Sequence, residues 1–149
     1  MSKSLVIEAV RKSVTVDCTV EEAFRLFTSG LKSWWPVATH SIYGEKVAEI
    51  VLEEREGGGV YEISTDGERG QWATVLAWEP PSRVVLTWNI LELEPVPTEV
   101  EIRFLPDRDG TRVELEHRGW EAVVEDAEGK RGRYDAGWEH ILGVLAERG

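Results

Sequence analysis

Apolar and polar residues alternate from Val10 to Val16, with Val10, Lys12, Val14 and Val16 on one parity and Arg11, Ser13 and Thr15 on the other. A period of two predicts a strand with one largely apolar face. Thr19-Val20-Glu21-Glu22 follows, a threonine with a glutamate three residues on, which is the pattern of a capping box at a helix start. Ala23, Phe24, Leu26 and Phe27 give that helix an apolar stripe, Gly30 breaks it, and Leu31 to Trp35 predicts a second short helical turn. From Val47 the period returns to two, punctuated at Gly57-Gly58-Gly59, Asp66-Gly67, Pro80-Pro81, Glu94 to Pro97 and Asp107 to Gly110. Six strands joined by turns this short pair as an antiparallel meander. After Gly129 the pattern becomes helical as far as Arg148, about 27 Å at 1.5 Å per residue. Tyr134, Trp138, Ile141 and Leu145 fall on one face, flanked by Gly137 and Val144, while Glu139 and Gly143 point away. A helix of this length after a sheet of about seven strands buries its stripe on the concave face of the sheet, which predicts an α+β fold.

Ser33-Trp34-Trp35-Pro36 interrupts this regularity. On a helical turn adjacent side chains diverge by about 100°, so one tryptophan fills the core while the other closes the mouth of a cavity. Pro36 ends the turn. Position alone leaves open which indole does which.

Composition narrows the classes. With 149 residues, 42% hydrophobic and 30% charged, residues 1–149 are expected to form one globular domain. A net charge of -11 repels nucleic acid and anionic membrane surfaces, so neither is expected as a partner. No apolar stretch reads as a signal peptide or a membrane span, which points to the cytoplasm. Cys18 is the one cysteine, in keeping with a reducing compartment.

The chemistry-bearing motifs are sparse. Glu54 to Glu62 is glycine-rich but lacks the Gly-Lys-Ser/Thr ending of a phosphate loop and reads as a hairpin. His40, His117 and His140 are scattered, without metal-ligand spacing, and no nucleophile elbow or dinucleotide fingerprint is present. No metal, cofactor or catalytic residue is therefore assigned. His117 shares parity with Val113 and Leu115 and so points inward, either as a satisfied core histidine or as a ligand contact or base. Glu62, between Tyr61 and Ile63, is placed on the opposite face from them, the alternative being a bulge near the glycines that turns it inward. Seven tryptophans exceed what a chain of this size needs for stability, and large aromatics suit an apolar or aromatic ligand site.

The order of elements, with the segments SWWP, EREGGGVYEI, GQWATVLAWEPPSRVVLTW, GTRVELEHRGW and GWEHILGVL, resembles the SRPBCC or START-like superfamily. More closely it resembles the bacterial branch homologous to the activator of the ninety-kilodalton heat-shock chaperone ATPase. The resemblance implies a helix-grip fold: a bent antiparallel sheet around the long C-terminal helix, two short helices after the first strand, and a cavity between sheet and helix. The cavity candidates are Trp34 and Trp35; Tyr61, Trp72, Val75, Trp88, Phe104, Leu115 and His117 on the strands; and Tyr134, Gly137, Trp138 and Ile141 on the last helix. Binding of a small apolar or aromatic molecule is the expected function. A co-chaperone-like interaction module is the alternative, and a cyclase or dehydratase with His117 as base comes third. Gly137 is expected to widen the cavity.

Overall fold

A computed structural model describes residues 7–148. Strand β1 spans Val10–Val16 and helix α1 Val20–Phe27, followed by a 3₁₀ turn at Leu31–Ser33 and another at Gly44–Lys46. Strands β2 (Val47–Leu52), β3 (Gly59–Ser64), β4 (Arg69–Glu79), β5 (Arg83–Trp88), β6 (Thr98–Asp107) and β7 (Gly110–Arg118) form the meander, and α2 runs from Ala127 to Arg148. All seven strands make one antiparallel sheet in the order β1-β7-β6-β5-β4-β3-β2, so the first strand closes onto the last. No helix among the described residues is long and apolar enough to cross a membrane.

Local chemistry explains the element ends. Thr19 Oγ1 accepts from Glu22 N at 3.2 Å, as the capping box requires, while the Glu22 carboxylate accepts from the Thr19 hydroxyl. The second helical turn is shorter than expected: Leu31–Ser33 is 3₁₀, and Trp34 and Trp35 leave it before Pro36. Helix α2 starts two residues before Gly129, because Asp126 turns the chain with φ 50° and its carbonyl accepts from Lys130 N.

Bulges decide which strand residues turn inward. The β3–β4 register shifts between Val60 and Tyr61, leaving Trp72 unpaired, and both Trp72 and Ala73 are buried. Strand β3 buries Val60, Glu62 and Ser64, the parity opposite to the expected one. Tyr61 therefore lies on the outer face, its ring under the Arg69 guanidinium at 3.5 Å.

The outer face is an ionic ladder. Glu101, itself buried, accepts from Arg83 at 2.7 Å, Arg103 at 2.7 Å and Arg118 at 2.6 Å. Burial pushes its carboxyl up, but the three guanidiniums outweigh that and hold it at about 2.

The core on the inner face divides in two. Toward α1 it is dry and aromatic: Phe24 meets Trp78 at 5.1 Å and Phe104 at 5.2 Å, and Phe27 meets Trp34 at 5.6 Å. Toward the middle of α2 the packing opens into a cavity.

Candidate functional site

The cavity measures about 520 Å³ and lies between the inner face of the sheet and α2. Trp35, Trp72, Trp88 and Trp138 form its aromatic wall. Their rings contact one another edge-on or tilted: Trp35–Trp72 at 5.0 Å, Trp72–Trp88 at 6.0 Å, Trp88–Trp138 at 5.1 Å and Trp35–Trp138 at 6.1 Å. Tyr134, Gly137 and Ile141 complete the helix side. Gly137 leaves room there, since the nearest atoms to a Cβ at that position would be His40 Cδ2 and Nε2, at 3.7 and 3.8 Å.

The pair of tryptophans divides its labour. Trp34 donates its indole N–H to Leu26 O at 2.6 Å and packs on Phe27, in the dry part of the core. Trp35 faces the cavity and donates to His40 O at 2.7 Å, which pins the loop after Pro36 over the site.

A buried glutamate holds that loop and the cavity wall in one grip. Glu62 has no exposed surface, and its carboxylate accepts from Ile42 N at 2.6 Å, Tyr43 N at 3.0 Å and Trp72 Nε1 at 2.6 Å. Three N–H donors on two oxygens satisfy an acceptor-only group in the core. Glu62 is thus the positioning residue that the expected strand parity put on the wrong face.

His117 sits behind the wall instead of in it. It has no exposed surface; Trp138 Nε1 donates to its Nδ1 at 2.9 Å, and its Nε2 lies 2.6 Å from Thr98 Oγ1. The Thr98 hydroxyl in turn donates to Trp88 O at 3.1 Å. Burial lowers the imidazole to about 3, so it is neutral near pH 7. In this geometry His117 is a buried histidine with both ring nitrogens engaged, one of them by Trp138. Every acceptor on this ring is used inside the protein, so the base role does not follow from its geometry.

Of the other expected wall residues, Trp34, Val75, Phe104 and Leu115 are buried in the core cluster away from the cavity, and Tyr61 is on the outer face. In their place come loop residues: Thr39 to Ile42, Ile90 and Leu91, with Arg133 at the rim. Leu91 and Glu92 hold φ near 57° and 55°, in the left-handed region, and the turn is braced by Asn89, whose side chain bonds both Glu94 N and Glu94 O. Lys130 on α2 then holds the Glu94 carboxylate at 2.6 Å. At the mouth His40 stacks on His140 with ring centroids 5.0 Å apart, and burial together with His140 lowers the His40 pKa.

The cavity's polar atoms are nearly all engaged. Thr39 Oγ1 meets His40 Nδ1 at 2.6 Å, and Ser41 Oγ bonds Val37 O and Gly44 N. Three of the four indoles spend their N–H on protein acceptors, as described for Trp35, Trp72 and Trp138. Trp88 is the exception: its Nε1–H is buried and, among the described residues, meets no acceptor. Burial raises the Tyr134 hydroxyl, and the neighbouring Trp88 N–H opposes that rise without reaching hydrogen-bond geometry.

Comparison with known proteins places this geometry in a family. The model described as "Activator of Hsp90 ATPase homolog 1-like protein" matches residues 17–148. No curated protein matches the chain. Among solved structures, the anthrahydroquino-gamma-pyrone synthase Txn09 is 34% identical with a TM-score of 0.59, covering 94% of this chain and 88% of its own. CalC from Micromonospora echinospora, a self-sacrificing resistance protein, is 28% identical with a TM-score of 0.68, covering 95% and 93%. The Aha1 dimer from Colwellia psychrerythraea shares the fold at 17% identity and a TM-score of 0.68, covering 95% of each chain. The chain belongs to the family of Activator of Hsp90 ATPase homolog 1-like proteins.

Proposed function

We propose that this protein binds a small, flat aromatic molecule in the cavity between the sheet and α2. One observation carries the reading: four tryptophans converge on a single cavity of about 520 Å³, a volume suited to a small-molecule ligand. Similarity to Txn09, whose name describes a fused aromatic product, supports an aromatic ligand over an aliphatic one.

The test is a titration with N-phenyl-1-naphthylamine, a neutral aromatic probe that the chain's negative charge does not repel. Binding is expected to quench tryptophan emission and raise probe emission together, saturating at one probe per chain. Unchanged emission at saturating probe, with no heat in calorimetry, removes the proposal. The family description supports a second reading, an interaction with a chaperone of the Hsp90 class. Co-sedimentation with such a chaperone, undiminished by the probe, would favour it.

A further inference from the structure

The ligand proposed above remains chemically unspecified, and one unused donor in the wall narrows it. This inference rests on the cavity being a ligand site. Trp88 is 7% exposed, lines the cavity, and has an indole N–H that no protein group among the described residues accepts. Buried N–H groups left without a partner are costly and rare, so each one calls for an explanation. Movement of the ring does not supply one. Trp88 is wedged between Trp72 at 6.0 Å and Trp138 at 5.1 Å and abuts His117 at 6.5 Å.

A second donor stands beside it. Tyr134 lines the same cavity, and its hydroxyl is close enough to the Trp88 N–H to feel it, yet the two do not reach the geometry that would satisfy that N–H. Its ring is fixed edge-on to His117 at 4.9 Å and against Trp120 at 5.5 Å. Two rigid donors side by side in an apolar enclosure match one acceptor oxygen with two lone pairs. A hydrocarbon would leave both unpaired, and a ligand presenting only donors would oppose them.

We infer that the Trp88 indole N–H and the Tyr134 hydroxyl together hold an acceptor oxygen of the ligand, which is a flat aromatic molecule bearing a carbonyl-type oxygen. The indoles supply the apolar contact for the ring system, and this pair sets its orientation. The site discriminates by leaving its own donors unsatisfied when the oxygen is missing.

Fluorenone and fluorene test this, because they share one planar skeleton and differ by the carbonyl oxygen. Each is titrated against bound N-phenyl-1-naphthylamine in the wild type, Trp88→Phe and Tyr134→Phe. The fluorenone-to-fluorene affinity ratio, compared between proteins, cancels the difference in how readily the two compounds leave water. In Trp88→Phe that ratio is expected to fall about tenfold, the effect of one good hydrogen bond, and in Tyr134→Phe by a smaller factor. Tyr134→Phe retains the ring that packs on His117 and Trp120, so it decides the matter should Trp88→Phe fail to fold. A ratio equal to the wild-type value in every folded variant overturns the inference while the ligand site stands. If the probe itself does not bind the wild type, the ligand site falls and this inference with it; if the probe binds but fluorenone does not displace it, the inference is overturned while the site stands.

Discussion

Trp138 donates its indole N–H to His117 Nδ1 at 2.9 Å, and this one bond assigns the proton of the imidazole to Nε2. The Nε2–H then donates to Thr98 Oγ1 and the Thr98 hydroxyl to Trp88 O, so a directed chain of hydrogen bonds joins α2 to the end of β5. The chain ties the indole of Trp138 to the backbone carbonyl of Trp88, two residues of the cavity wall.

Replacing His117 tests whether the chain is structural. His117→Phe removes the acceptor for Trp138 Nε1 and the partner of Thr98, and should lower stability by about 2–4 kcal/mol. A shift of the urea midpoint with unchanged slope would measure it. His117→Gln, which can still accept and donate, should lose less.

The pH dependence follows from the same residue. Its pKa is about 3 in the folded chain against an ordinary 6.5, so the unfolded chain takes up the proton first. Stability is therefore intact above 6.5 and falls as the pH drops toward 3, by at most about 1.4 kcal/mol per pH unit. Glu101, at about 2 against 4.5, adds its own loss only as the pH falls from 4.5 toward 2. Denaturation curves between pH 7 and 5 should show a decline in the wild type that His117→Phe largely abolishes.

Glu62 offers a sharper separation of stability from binding. Glu62→Gln turns one acceptor oxygen into a donor facing an N–H, which should cost about 1–3 kcal/mol. Because the loop at Ile42 and Tyr43 and the Trp72 ring lose a shared anchor, affinity for N-phenyl-1-naphthylamine should fall in protein that is still folded by circular dichroism. Unchanged affinity would show that the loop holds its place without the carboxylate.

Gly137 can be filled in two steps. Alanine there meets the His40 ring at ordinary van der Waals distance, and the gain in helix propensity should raise stability by up to about 1 kcal/mol. Gly137→Leu should fold but project into the cavity and weaken probe binding at least tenfold. A melting temperature and a titration for each variant suffice. Unfolding of Gly137→Leu would mean that the glycine serves close helix packing instead.

Much of the architecture was legible in the residues because strands, turns and a long amphipathic helix each leave a period. The alternation at Val10–Val16, the capping box at Thr19 and the stripe through Trp138 all appear where the pattern predicts them. The cavity was legible where it rests on that stripe, at Tyr134, Gly137, Trp138 and Ile141. It was less so on β3, where a polar residue occupies the buried parity and apolarity assigns Tyr61 to the wrong face. A glutamate goes inside only because a distant loop supplies its donors, and no local pattern encodes that. The loop residues Thr39 to Ile42, Ile90 and Leu91 have no period at all, so their place in the wall emerges only from the fold.

The pairing of β1 with β7 has a further consequence for how the chain is made. Val10 lies opposite His117 and Val16 opposite Thr111, so β1 leaves the ribosome and waits for about a hundred more residues before its partner follows. At typical elongation rates that wait lasts several seconds, and α2 arrives later still. The meander from β2 to β6 can zip as it emerges, whereas the pairing of β1 waits for β7 and the Trp138–His117 bond for α2. A nascent chain stalled before residue 111 would expose the edge of β1 and an uncovered tryptophan floor, a ready target for the folding machinery of the cell.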